Sequence, residues 1–202
     1  MKYPIYKVSI LAFTKLPTRL GEFDFIVWKS DSDNKEHILL QYGSPSNSES
    51  ILTRIHSQCI TGESFLSLKC DCQKQLYDAM KMIKEHRQGI VIYLHQEGRG
   101  IGLINKIKAY SLQEQGWDTV EANEQLGFQP DERNYQAAID LLHHLHINTI
   151  KLISNNPRKF NQLESAGITI QERVPLQIIP NNVNRNYLLV KKKKLGHLLN
   201  QI

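Results

Sequence analysis

What most restricts the fold of this 202-residue chain is a change in the spacing of its apolar residues near position 57. Before that point, short runs rich in β-branched and aromatic residues, Phe23 to Trp28, His37 to Tyr42 and Ile51 to Ile55, alternate with polar breaks. The breaks SDSDNKE (30–36) and GSPSNSES (43–50) lack apolar anchors and read as surface loops, and no helical pattern interrupts this β-rich part. Beyond it, the spacing becomes helical. In QKQLYDAMKMIKEHRQG, Leu76, Met80 and Ile83 share one helix face, and Gly89 is placed to close the helix. The continuous β-branched run IVIYL (90–94) predicts a strand covered on both faces, as in a parallel sheet. A second helix follows in IGLINKIKAYSLQEQG (101–116), with Ile104, Ile107 and Tyr110 on one face, Gly116 at its end and irregular chain after it. Asp131 is placed to cap a third helix, NYQAAIDLLHHLH, which leads into the strand TIKLIS (149–154). Pro157 then opens PRKFNQLESAG, and ITIQERV completes a strand–helix–strand unit of the right length for a right-handed parallel crossover. The reading is an α/β fold: a mixed sheet with parallel strand–helix–strand units and a β-rich N-terminal part. It predicts one domain over 1–202, β-rich to about 57, α/β over 58–176 and a tail over 177–202.

Composition narrows the function classes. With 41% apolar and 22% charged residues the chain is neither disordered nor fibrous. No stretch approaches the roughly 18 to 20 consecutive apolar residues of a membrane span, and the N-terminal apolar run, Val8 to Phe13, is too short for a secretory core. A cytoplasmic location is therefore expected, without a membrane partner. There thiols stay reduced, so three cysteines read as free, catalytic or metal-binding before any disulfide is considered. The net charge of +5 suits a phosphate-bearing partner without choosing between nucleotide and nucleic acid.

The cysteines, Cys59, Cys70 and Cys72, stand close together in RIHSQCITGESFLSLKCDC. Structural zinc closes its tetrahedron with four protein ligands, whereas catalytic zinc commonly takes three and keeps a position for water. Three thiolates thus point to an open site, with His56 as a possible fourth ligand; the plain alternative is three small buried hydrophobes. A nucleobase-deaminase site is excluded, because it needs a Glu beside its ligand and a Pro-Cys-x-x-Cys pair, and Gln58 stands where that Glu would be. No Walker motif occurs, and Gly98, Gly100 and Gly102 do not match the dinucleotide fingerprint in spacing. The remaining phosphate-directed signal is a set of cations, Arg54, Arg99, Arg133, Arg158 and Lys159, mostly beside predicted strand ends and helix starts. Arg158 and Lys159 follow Pro157 directly, where amides of a helix N-terminus can help hold an oxyanion. Glu97, Tyr110, Asp131 and Glu132 are the other polar candidates.

These segments together carry a resemblance. RIHSQCITGESFLSLKCDC, then YLHQEGRGIGLINKIKAYSLQEQGWDTVEANEQLGFQPDERNY, then SNNPRKFNQLESAGITIQERVPL and a final GHLL closely resemble GTP cyclohydrolase II of riboflavin biosynthesis, densely from Arg54 to Leu176 and more loosely before it. The resemblance implies a homodimeric enzyme that releases diphosphate and formate from GTP and leaves 2,5-diamino-6-(5-phosphoribosylamino)pyrimidin-4(3H)-one. It implies one zinc ion per chain on Cys59, Cys70 and Cys72, and Mg2+ with the triphosphate. It implies GTP contacts from Arg54, Ile55, His56, Ser57, Gln58, Gln75, Glu97, Gly98, Arg99, Thr119, Ser154 and Lys159. Asp131 resembles the family's proton acceptor, Arg133 its nucleophile on the α-phosphate, and Tyr110 its helper in ring opening. Gln58 departs from the acidic residue common there, and Ser154 replaces a threonine while keeping the hydroxyl. The further domain of roughly two hundred residues that some relatives carry is absent, so one activity is expected. The competing readings are a paralogue with a truncated reaction or another purine nucleotide, and a zinc-stabilised nucleic-acid-binding module. The latter is motivated by the run Lys191 to Lys194 but lacks an aromatic-plus-basic motif.

Overall fold

The computed structural model describes residues 4–45 and 50–200, so residues 46–49 of the second predicted loop lie outside the described residues. The chain divides into two compact units, each assembled from three separate stretches. The first contains residues 1–56, 76–95 and 135–176, and the second contains 57–75, 96–134 and 177–202.

The first unit is built on a seven-stranded mixed sheet. Its strands are β1 (Val8–Thr18), β2 (Gly21–Ser30), β3 (Glu36–Tyr42), β4 (Ile51–Ser57), β5 (Gly89–Leu94), β6 (Thr149–Ile153) and β7 (Thr169–Val174), in the spatial order β1-β2-β3-β5-β4-β6-β7. The pairs β1–β2, β2–β3 and β3–β5 are antiparallel, whereas β4–β6 and β6–β7 are parallel. The first three predicted runs are thus β2, β3 and β4, and SDSDNKE is the turn between β2 and β3. The apolar run of β5 does lie between two covered faces. Ile90, Ile92 and Leu94 enter one apolar cluster with Leu39, Ile55, Ile139 and Leu163, while Val91 enters another with Phe23, Leu40, Ala79 and Ile83. Its neighbour β3 is nevertheless antiparallel, because continuous apolarity reports burial on both faces and not the direction of the next strand.

Helices cover the two faces. Among the elements α1 (Ile60–Glu63), α2 (Cys72–Glu85), α3 (Gly102–Glu114), α4 (Thr119–Gln125), α5 (Gln136–His144), α6 (Pro157–Ser165) and α7 (Arg185–Lys193), α5 and α6 supply the first cluster and α2 supplies the second. The predicted β6–α6–β7 crossover is present, with Pro157 in the first turn and the Asn156 side chain accepting from the Arg158 amide. Two predicted helix ends move. Helix α2 stops at Glu85, and Arg87 takes the left-handed conformation (φ 65°); Gly89 instead begins β5, where a Cβ would lie 2.5 Å from the Leu52 carbonyl oxygen. Helix α5 starts at Gln136 behind Tyr135, so Asp131 caps nothing there.

The second unit contains α1, the first turn of α2, a tight turn over Glu97–Gly100, α3, α4 and α7. Both apolar clusters found among the described residues belong to the first unit, so polar and charged contacts carry more of the second. Helix α3 shows this most directly. Ile104 and Ile107, expected on its buried face, are 74% and 49% exposed, and the buried positions are Lys106 and Ala109. The stretch after Gly116, expected to be irregular, holds α4, capped by a reciprocal box in which Asp118 accepts from the Glu121 amide and Glu121 from the Asp118 amide.

Candidate functional site

In the second unit, Cys59 immediately precedes α1, while Cys70 and Cys72 lie at the start of α2. The short helix begins at once, with the Gly62 and Glu63 amides donating to the Cys59 carbonyl at 3.1 and 2.9 Å. This turn brings the three sulfurs within 4.8 Å of one another, the Cys59 and Cys70 Sγ atoms being 3.6 Å apart. The cradle is tight: a Cβ on Gly62 would sit 2.6 Å from Cys70 Sγ and 3.3 Å from Cys59 Sγ. The cluster carries charge unevenly. Hydrogen bonds from Cys70 and Cys72, aided by Lys106 and opposed by burial, push the Cys59 thiol far below its ordinary range, and the hydrogen bond to Cys59, with burial and the Cys59 charge, lifts Cys70 to about 11. Cys72 is raised for the same reason. Three convergent sulfurs, with the Cys59 thiol biased towards ionisation, form a donor set that could hold a thiophilic metal ion.

Lys106 organises the polar wall beside this cluster. Its Nζ donates to Cys59 Sγ at 3.2 Å and to Glu97 Oε1 at 2.7 Å, in a buried position. Burial alone would favour the neutral amine, but the Glu97 carboxylate and the Cys59 thiolate hold it protonated, well above the ordinary lysine range. Glu97 is fixed on several sides, accepting also from the Ile60 amide at 2.6 Å and the Gly98 amide at 2.8 Å. Tyr110, one helical turn beyond Lys106, has Lys69 4.7 Å from its ring centre. Burial pushes its phenol up to about 12, against smaller opposing effects of Thr61 and Lys106, so it is a proton donor at neutral pH.

The turn after Glu97 and the loop before α5 support one another. Gly98 and Arg99 are both left-handed (φ 63° and 61°), and the Arg99 carbonyl accepts from the Glu132 amide at 3.0 Å. A Cβ on Gly100 would lie 2.8 Å from the Glu132 carbonyl oxygen, so the close approach requires glycine. Arg99 Nη1 donates to the Pro130 carbonyl at 3.3 Å. Within that loop Asp131 and Arg133 form a two-pronged pair: Nε to Oδ1 at 2.8 Å and Nη2 to Oδ2 at 2.6 Å, with the Arg133 amide also donating to Oδ1 at 3.1 Å. Burial would raise the Asp131 carboxyl, but Arg133 outweighs it and holds it at about 2. Of the other candidates in this unit, the Ser57 hydroxyl accepts from Gln96 at 2.9 Å, Gln75 donates to Asp71 at 2.5 Å, Thr119 opens α4, and Gln58 is half-buried beside Cys59.

The first unit brings together Arg54, Ile55, His56, Ser154 and Lys159. Arg54, buried on β4, donates from Nη1 to the Ile153 carbonyl at 3.0 Å, and its Nη2 stands 3.4 Å from His56 Nδ1. His56 stacks on Tyr93 with ring centres 5.7 Å apart. Ile55 is wholly buried, side chain and backbone alike, within the apolar cluster. Its carbonyl accepts from Lys159 Nζ at 2.7 Å. The Ser154 hydroxyl accepts from the Asn156 amide at 3.1 Å, which sets up the cap of α6. That cap engages the Arg158 amide at 3.0 Å, so the first amide expected to serve an oxyanion is already used within the protein.

Lys106 is the functional residue that sequence reasoning missed. Its signal was present, since Lys106 and Tyr110 are four residues apart on one helix face, but a face defined by Ile104 and Ile107 hid it. The lysine run also changes meaning: Lys191 is buried against Asp71 at 3.0 Å, and Lys194 pairs with Asp118 and with Glu121, so two of the four residues offered to a nucleic acid are engaged in ion pairs. No helix among the described residues is long and apolar enough to cross a membrane.

Known proteins similar to this chain agree with the motif reading. A GTP cyclohydrolase-2 of Hahella chejuensis is 51% identical over 95% of this chain and 93% of its own. One of Shewanella amazonensis is 47% identical over 96% and 95%, respectively. A riboflavin biosynthesis protein RibBA of Bacillus velezensis is 53% identical over 91% of this chain, which spans 46% of that longer protein. A crystal structure of RibBX, a two-domain 3,4-dihydroxy-2-butanone 4-phosphate synthase from A. baumannii, superposes with a TM-score of 0.45 at 17% identity over 85% of this chain and 40% of that one, a likeness without weight for function. The sequence profile of GTP cyclohydrolase II matches residues 10–175. A match of that extent, joined to relatives about half identical along nearly their whole length, makes this chain a member of the GTP cyclohydrolase II family.

Proposed function

We propose that this protein opens the imidazole ring of GTP, releases formate and diphosphate, and yields 2,5-diamino-6-(5-phosphoribosylamino)pyrimidin-4(3H)-one, the first step of riboflavin biosynthesis. The observation that carries the reading is the convergence of Cys59, Cys70 and Cys72 beside the Glu97–Lys106 pair. Three cysteine sulfurs, in a cradle where a Cβ on Gly62 would crowd two of them, fit one zinc ion per chain, which they would hold as thiolates. When bound, zinc supplies hydroxide at neutral pH by bringing the pKa of water towards about 7, as imidazole-ring hydrolysis requires.

The chain's own residues do the rest. Lys106 offsets thiolate charge at Cys59 and fixes Glu97. Tyr110, protonated at neutral pH, donates a hydrogen bond during ring opening. Arg54, His56, Ser57, Gln58, Gln75, Glu97, Arg99, Thr119, Ser154 and Lys159 contact GTP through side chains and Gly98 through the backbone, while the buried Ile55 serves the set through its carbonyl, which holds Lys159. We assign Arg133 to clamping the phosphoryl oxygens. A guanidinium two-pronged to a carboxylate stays protonated and has no lone pair to attack phosphorus, and Asp131, held at about 2, is too weak a base to deprotonate it. Asp131 thereby orients Arg133. Mg2+ accompanies the triphosphate. The enzyme is cytoplasmic and homodimeric; the exposed apolar residues Ile10, Leu11, Phe13 and Leu16 along β1 support a self-association surface.

The test is mass analysis of the products of GTP with zinc-loaded protein. The reading requires the deformylated pyrimidine monophosphate and rejects a retained formylamino group or an intact purine. A nucleotidyl adduct on Arg133 during turnover, formed at the α-phosphorus with loss of diphosphate, would overturn the clamp assignment.

A further inference from the structure

The C-terminal segment lies beyond the residues 10–175 that match the family profile, and its sequence suggests a solvated lysine tail. Its structure is otherwise. Asn181 and Asn184 lock the entry to α7 reciprocally: Asn181 Oδ1 accepts from the Asn184 amide at 2.8 Å, and Asn184 Oδ1 accepts from the Asn181 amide at 2.9 Å. From this turn, Asn181 Nδ2 donates to the Leu68 carbonyl at 3.3 Å and Asn184 Nδ2 to the Cys70 carbonyl at 3.5 Å. Two turns along the helix, Lys191 Nζ donates to Asp71 Oδ1 at 3.0 Å, and the other Asp71 oxygen accepts from Gln75. Lys191 and Asp71 are 8% and 6% exposed, so neither charge is solvated. Between these anchors Tyr187 presents its ring to Arg99, 5.4 Å away, and to Lys191, 4.8 Å away.

Asp71 separates Cys70 from Cys72. Holding its carboxylate and the Cys70 carbonyl fixes the peptide units on both sides, which aim the two sulfurs. An unpaired lysine would not be buried here without cost, and a buried ion pair is better attested as a device for register than as a source of stability. We propose that α7 is a brace for the metal loop and that Lys191, acting through Asp71, is the positioning residue that sets the geometry of Cys70 and Cys72. The inference rests on the reading of the three thiols as a metal site.

The experiment compares full-length wild type, Lys191→Met, Lys191→Arg and the double variant Asp71→Asn/Lys191→Met. Release of zinc to a chromogenic chelator is timed, and amide hydrogen exchange is followed at residues 68–73 of the metal-free proteins. Lys191→Met is expected to release zinc about tenfold faster and to speed exchange at 68–73, the size of effect seen when the groups that orient ligands are lost. Lys191→Arg restores most of the retention. The double variant stays fast, because the tether is gone although no charge is left unpaired. Zinc retention at wild-type level in Lys191→Met, or its recovery in the double variant, overturns the brace. Slow exchange of the β5 amides certifies folding; if Lys191→Met fails that check, Lys191→Gln replaces it in the same comparison. Should wild type bind no zinc, the metal reading falls, and exchange at 68–73 alone decides the brace: faster supports it and unchanged overturns it.

Discussion

Gly62→Ala separates the demands of the metal cradle from those of the fold. Gly62 lies in α1 without a positive φ, so alanine is compatible with its backbone, and helix propensity favours alanine by up to about 1 kcal/mol. The added methyl, however, falls 2.6 Å from Cys70 Sγ and 3.3 Å from Cys59 Sγ. Comfortable heavy-atom contact begins near 3.5 Å, so the Cys70 sulfur must retreat by about 1 Å. Without metal this costs little, because a thiol at the end of a rotatable bond turns aside. With metal it is prohibitive, since ligand distances tolerate only about 0.2 Å. The variant should therefore match or exceed wild type in urea unfolding of the metal-free protein, while its zinc affinity in chelator competition falls about 10- to 100-fold. Formate release at limiting zinc should fall with it. Wild-type zinc affinity in folded Gly62→Ala would refute the assignment of these sulfurs as ligands.

Other consequences follow from the same geometry. Lys106→Met leaves the buried Glu97 carboxylate without its ammonium and should cost about 3 kcal/mol in urea unfolding, with partial recovery in Glu97→Gln/Lys106→Met. Asp131 is depressed, so the stability it contributes is present above the ordinary carboxyl value near 4 and is lost as pH falls through about 2. Asp131→Asn should cost on the order of 2 kcal/mol at pH 7 and much less near pH 2, and wild-type activity should show no inflection from this group between pH 5 and 8. Chelation of bound metal should speed amide exchange in 57–75, 96–134 and 177–200 while leaving the β5 amides protected, because both apolar clusters belong to the sheet-containing unit.

The positions of β2 to β7 were legible because β-branched runs bounded by turn residues admit few alternatives, and the β6–α6–β7 unit because Pro157 and Gly167 punctuate a helix of the right length, whereas β1 was not read as a strand. Local signals failed where partners distant in sequence decide the outcome. Helix α3 buries Lys106 and exposes Ile104, because Glu97 and Cys59 satisfy an ammonium that no periodicity rule would place inside. Lys191 was unreadable for the same reason, its partner being 120 residues away. Helix α4 was readable and overlooked: Asp118 and Glu121 have the spacing of a capping box. The three thiols were legible as a set from spacing, but their unequal tendency to ionise depends on the packing that sets Cys70 and Cys72 against Cys59, with Lys106 aiding.

The central claim is that the trithiol cluster makes ring opening possible, and formate yield against bound zinc tests it most directly. Protein stripped of metal and reconstituted in steps, with excess GTP and Mg2+, should release formate at a rate proportional to zinc content, saturating at one ion per chain. Undiminished formate release by fully stripped protein, or none from protein carrying a full complement of zinc, would contradict it.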